Sequence, residues 1–67
     1  MNKRIIINHL ENVEDENLAI RQSAVAVKHF RNLSNPEGTI RVDWQPKSVA
    51  VVYSNSKNTC VYDFGRE

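Results

Sequence analysis

Apolar and polar side chains alternate in the second half of the chain, a pattern typical of β-strands. In residues 39–45, Ile40, Val42 and Trp44 fall on one face and polar side chains on the other. Two more short apolar runs follow, separated by a proline turn (QPKS) and a polar loop (SNSKN). Such short connections favour an antiparallel meander. The predicted strands are residues 39–45, 48–54 and 59–64.

The first third of the chain predicts a strand followed by a helix. KRIIINHL (3–10) is short and rich in β-branched residues, and the acidic ENVEDEN stretch that follows suits the positive end of a helix dipole. Asn12 and Asp15 are both good N-cap residues, and the sequence does not choose between them. The helix is predicted over 13–33, ended by the NPEG turn. Its expected apolar stripe comprises Ala19, Ile20, Ala26, Val27, Phe30 and Leu33.

A strand is the alternative for residues 19–30, because Ala19, Val25 and Val27 also alternate with polar neighbours. That interpretation would place Arg21 and Ser23 on the apolar face, and it would leave the acidic entry unexplained. The helix is therefore preferred.

The chain is accordingly predicted to be one α+β domain over residues 1–67, in the order β-α-β-β-β. One helix packs on one face of a four-stranded, mostly antiparallel sheet. The first strand joins an edge, beside either the second or the fourth strand. In both arrangements it runs parallel to its neighbour, because the helix carries the chain back across the sheet.

A chain of 67 residues has a small core and buries only about 60% of the surface that it exposes when unfolded. Small proteins offset this with disulfides, metals or association. Cys60 is the single cysteine, so an internal disulfide is excluded, and a lone thiol fits the cytoplasm. No apolar run is long enough for a signal peptide or a membrane span. Association with a second copy or another protein is therefore expected.

The residues that could carry chemistry have simpler structural explanations. Cys60 and His9 are the thiol and imidazole that a nucleophilic site would need, but Cys60 alternates with core side chains and His9 ends a strand. Asp43 and Asp63 lie on the polar faces of two strands, where an ordinary surface ion pair of one of them with Arg41 is expected. The two glycines, Gly38 and Gly65, cannot form a glycine-rich phosphate loop. The sequence predicts no catalytic residue, no cofactor, no metal site and no enzymatic activity.

Two predicted strands are apolar on both faces, although one helix can cover only one face of a sheet. Residues 49–53 read VAVVY and residues 5–7 read III. The candidate interaction surface is the face opposite the helix, used by a second copy or another protein; pairing along an edge strand is the alternative. The residues expected on it are Ile6, Val49, Val51 and Tyr53.

A nucleic-acid-binding protein is the alternative function, with Arg21, Lys28 and Arg31 as a basic patch along one helix edge. Nine basic and eight acidic residues give a net charge of +1, which is low for a dedicated nucleic-acid binder. The leading prediction is a small, non-enzymatic, cytoplasmic protein, expected as a homodimer or bound to a protein partner. In scale it is typical of the accessory and inhibitor proteins of bacteria and their phages.

Overall fold

The structure is a computed structural model that describes residues 4–36, 38–55 and 57–65. Strand β1 (Ile5–Asn8) leads through a short 3-10 helix (Leu10–Asn12) into helix α1, and three strands follow. The helix and these strands are α1 (Glu16–Ser34), β2 (Ile40–Gln45), β3 (Val49–Tyr53) and β4 (Thr59–Asp63).

The four strands form one sheet in the order β1-β2-β3-β4. β1 runs parallel to β2, and the other neighbouring pairs are antiparallel. The predicted α+β class, with one helix on a mostly antiparallel four-stranded sheet, is confirmed. Of the two edges that the sequence allowed for the first strand, the structure has the one beside β2.

The link between β1 and α1 differs from the sequence prediction. The first strand was expected over 3–10, of which position 3 lies outside the described residues. It ends at Asn8, because His9 adopts a left-handed backbone with φ 65° and the 3-10 helix follows. Helix α1 begins at Glu16 rather than near residue 13. Asp15 is its N-cap, accepting a hydrogen bond from the backbone N–H of Leu18 at 3.1 Å. The helix ends where Asn35 takes a left-handed conformation, φ 44°.

The core lies between α1 and one face of the sheet. Its central side chains are Phe30 from the helix and Trp44 from β2, each fully buried. The other buried residues of the core are Ala19, Ala26, Val27, Ile40, Val42, Ala50 and Val52. The predicted helix stripe is wrong at Ile20 and Leu33, which are 46% and 64% exposed, because both lie at the margins of the stripe, beyond the sheet contact.

A buried polar link ties the helix to the sheet. The indole N–H of Trp44 donates to Ser23 Oγ at 3.0 Å, and that hydroxyl donates to the carbonyl of Ala19 at 2.8 Å. Ser23 is 1% exposed and Trp44 is 0% exposed, so water reaches neither group. Within the described ranges, no helix is long and apolar enough to cross a membrane.

Candidate interaction surface

The face of the sheet opposite α1 is covered by no helix or strand among the described residues. The strand register arranges its side chains in three rows that run across the sheet, and we call this surface the open face. The rows are Ile6, Arg41, Tyr53 and Thr59; Asn8, Asp43, Val51 and Val61; and Gln45, Val49 and Asp63.

All four residues predicted for the interaction surface lie on the open face. Val49, Val51 and Tyr53 line the central strand β3, and Ile6 lies on the edge strand β1. All four are half-buried by their neighbours within the sheet. They therefore form a stripe along β3 with one outlying residue.

Val61 also belongs to this surface and was missed from the sequence. It pairs directly with Val51 across β3 and β4, and it is 64% exposed. The signal was present, because Val61 alternates with Cys60 and Tyr62, which point toward the core. Together the two valines place an apolar cluster near the centre of the open face.

Polar groups surround this apolar stripe. Asn8 donates a side-chain hydrogen bond to Asp43 Oδ1 at 2.9 Å, which joins β1 to β2. Hydrogen bonding to the Asp43 carboxylate raises the pKa of the Tyr53 phenol; desolvation and the negative charge of Asp43 act in the same direction, while Arg41 partly opposes them. Asp43 therefore favours the protonated Tyr53 hydroxyl.

Two exposed, opposite charges lie diagonally on either side of Val51 on the open face. Arg41 and Asp63 form no ion pair within 4 Å with any residue that the structure describes. Asp63 Oδ1 accepts a hydrogen bond from the backbone N–H of Gly65 at 3.0 Å. The ion pair expected from the sequence between Arg41 and one of the two aspartates is absent from this part of the chain.

The candidate catalytic residues are not brought together. His9 lies beyond the end of β1 and contacts the exposed Glu11 carboxylate at 3.4 Å, whereas Cys60 lies on β4 at the other edge of the sheet. Three strand spacings, about 14 Å, separate these edges. The described residues contain no group of three or more potential metal ligands.

Cys60 lies on the helix side of the sheet, beside Tyr62. The Tyr62 hydroxyl and His29 Nδ1 share a hydrogen bond at 2.8 Å, which fastens the end of α1 to β4. Burial raises the pKa of the Tyr62 phenol, and the Cys60 side chain adds to this effect. The arrangement has the character of a structural contact between helix and sheet.

The predicted basic patch is divided by the way the helix packs. Arg21 and Lys28 are exposed on the outer side of α1, but Arg31 is half-buried and its Nε atom is shielded from solvent. Leu18 and Val25 lie on the outer side as well, 43% and 64% exposed. The outer helix surface is therefore mixed, with two exposed cations of the predicted three.

An open groove lies between the start of α1 and the β2–β3 turn. Glu14, Asp15 and Lys47 on its rim are all exposed to solvent. Small-molecule sites hold a few polar groups in a largely enclosed apolar cavity. The groove lacks that environment.

The chain matches no protein-family model, no curated protein and no solved structure.

Proposed function

We propose that this chain is a non-enzymatic interaction module that binds another protein through the open face. The observation that carries the proposal is the placement of five apolar side chains on the face that α1 leaves uncovered. They are Ile6, Val49, Val51, Tyr53 and Val61.

The energetics favour covering this surface. Full burial of a valine side chain is worth about 1.5–3 kcal/mol, and Val61 is 64% exposed. Val51 and Val61 are direct cross-strand partners, so one apolar group of a partner can cover both. Polar residues ring them, as in protein interfaces with an apolar centre and a polar rim.

Size supports a role that depends on binding alone. One α-helix, a short 3-10 helix and four strands in the described residues leave little material for an enclosed active site, and Cys60 and His9, the thiol and imidazole considered for catalysis, lie at opposite edges of the sheet. We therefore group the protein with accessory and inhibitor proteins of bacterial or phage type, which act in the cytoplasm by occupying a surface of their target.

A matched pair of substitutions tests the proposal. Val61 on the open face and Val25 on the outer side of α1 are the same residue type, and each is 64% exposed. Val61→Asp should weaken binding of a purified partner by at least about tenfold, equivalent to about 1.4 kcal/mol, because a charge would enter the interface. Val25→Asp should leave the affinity unchanged.

Methyl NMR shows which surface the partner touches. The signals of Val49, Val51 and Val61 should shift on titration with the partner, and the signal of Val25 should not. Equal affinity for both variants would refute the proposal, as would shifts confined to Val25. Far-UV circular dichroism of each variant verifies that the fold is retained.

A further inference from the structure

We infer that the open face takes a second copy of this chain, in a two-fold pair whose strands cross steeply and in which Arg41 of each copy meets Asp63 of the other. This inference rests on the proposed function, since it names the occupant of the same surface. The observation behind it is the placement of two exposed, opposite charges, unpaired among the described residues, diagonally on either side of Val51 on one face.

The positions of the charges follow from the register. Val51 lies at the centre; Arg41 is one strand and one row away in one diagonal direction, and Asp63 is one strand and one row away in the other. With strands about 4.8 Å apart and alternate residues about 6.8 Å apart, the two charges stand roughly 17 Å from each other. They are equally far from Val51, so a two-fold axis beside Val51 can exchange their positions.

Only one family of face-to-face pairings joins these charges. An axis along the strands would set Arg41 against the partner's Thr59, and an axis across the strands would set it against the partner's Gln45. Both arrangements would leave the cation and the carboxylate without a counter-charge inside an apolar interface, which is costly. A two-fold axis perpendicular to the Arg41–Asp63 diagonal forms two ion pairs. The strands of the two copies then cross at roughly 70°, near the orthogonal class of sheet packing.

The same axis also brings three other sets of side chains together. Val51 packs on the partner's Val51 at the centre, and Tyr53 lies over the partner's Val61. Asn8 faces the partner's Gln45, so amide meets amide at the rim. Asp43, the third charged residue of the open face, comes close to the partner's Asp43 beside the axis, where each carboxylate already accepts a hydrogen bond from Asn8 of its own copy. The open face is therefore self-complementary at the Arg41–Asp63 pairs and at the central valines, while the two Asp43 carboxylates weaken the pair.

The size of the face sets the expected strength of the pair. Four strands, with a five-residue strand at their centre, give a planar footprint of about 19 by 17 Å. That is smaller than the roughly 800 Å² per partner of a standard protein interface. The dimer should therefore be a weak one that dissociates on dilution.

Charge reversal provides the test, read by sedimentation velocity over a concentration series. Arg41→Asp places two repulsive carboxylate pairs in its own dimer, and Asp63→Arg places two repulsive cation pairs. Each should weaken self-association by at least about tenfold. An equimolar mixture of the two variants restores both attractive pairs. It should therefore form a heterodimer whose affinity is within about threefold of the wild-type affinity.

Arg21→Asp is the matched control, since Arg21 is an exposed arginine on the outer side of α1. It should dimerise like the wild type. The chain carrying both Arg41→Asp and Asp63→Arg should also dimerise, which separates charge pairing from damage to the fold.

Three results would overturn the inference: a wild type that stays monomeric at millimolar concentration, single variants that associate like the wild type, or a mixture that fails to recover. If the wild type is monomeric but binds a different purified protein, and Val61→Asp abolishes that binding, only the second-copy inference is overturned. If Val61→Asp leaves both self-association and partner binding intact, the proposed function falls as well.

Discussion

The hydrogen bond between Trp44 and Ser23 gives the sharpest stability prediction. Ser23→Ala removes the acceptor of the buried indole N–H, which lies 3.0 Å from Ser23 Oγ. Trp44 is 0% exposed, so water cannot replace the lost partner. The variant should therefore carry an unsatisfied buried donor.

The expected loss is about 1–3 kcal/mol, the usual cost of leaving one buried polar group unpaired. In a domain of this size each kcal/mol lowers Tm by about 4–8 °C, so Ser23→Ala should lower it by roughly 4–24 °C. Asn32, a polar residue of the same helix that is exposed to solvent, supplies the control. Asn32→Ala should be neutral or slightly stabilising, because alanine is the better helix former.

Urea unfolding followed by circular dichroism at one fixed chain concentration measures both variants. The Trp44→Phe and Ser23→Ala double-mutant cycle then isolates the pair, and its interaction energy should be about 0.5–3 kcal/mol. A loss below about 0.5 kcal/mol for Ser23→Ala, the range of ordinary surface substitutions, would refute the reasoning. It would mean that the indole N–H is not held by this serine in solution.

Three further predictions follow from local geometry. Because the pKa of Tyr53 is raised in the folded chain, the contribution of Tyr53 to the free energy of unfolding should be fully present below pH 10 and should be lost as pH rises through the folded pKa. Asp43→Asn should move the phenol titration, read by phenolate absorbance, back toward 10.0. The double substitution Lys47→Asn with Ser48→Gly should raise the free energy of unfolding, measured in urea, by about 1 kcal/mol, because asparagine and glycine tolerate the positive φ of these two positions better than lysine and serine. A lower free energy of unfolding would contradict this. Asp15→Ala should cost about 1 kcal/mol of unfolding free energy through loss of the N-cap, and Asp15→Ser should retain most of it.

The alternation of apolar and polar residues was enough to predict the strand faces. Ile40, Val42 and Trp44 are fully buried, as their period of two indicates, and Val49 and Val51 lie on the opposite side of the sheet from them. Each of these positions depends only on the geometry of its own strand and on which face carries the larger side chains.

Features set by tertiary contact could not be read in this way. Ile20 and Leu33 fit a helical stripe, but the sheet is too narrow to cover them, and Ser23 is buried only because Trp44 reaches it. The choice between Asn12 and Asp15 as N-cap was open for the same reason. Asn12 instead donates to the backbone carbonyl of Trp44 at 2.8 Å, a contact 32 residues away in sequence.

The one-sided core also determines how the open face can be studied. The core of the described residues lies between α1 and the helix-facing side of the sheet, and Arg41, Val61 and Asp63 are exposed and not part of it. Substitutions at these three positions should therefore change binding with little effect on the monomer, since surface changes are usually within about 0.5 kcal/mol. Ser23→Ala should do the reverse, lowering the stability of the monomer while the open face keeps its composition. Separate responses from these two sets of variants would show that folding and association depend on opposite faces of the same four strands.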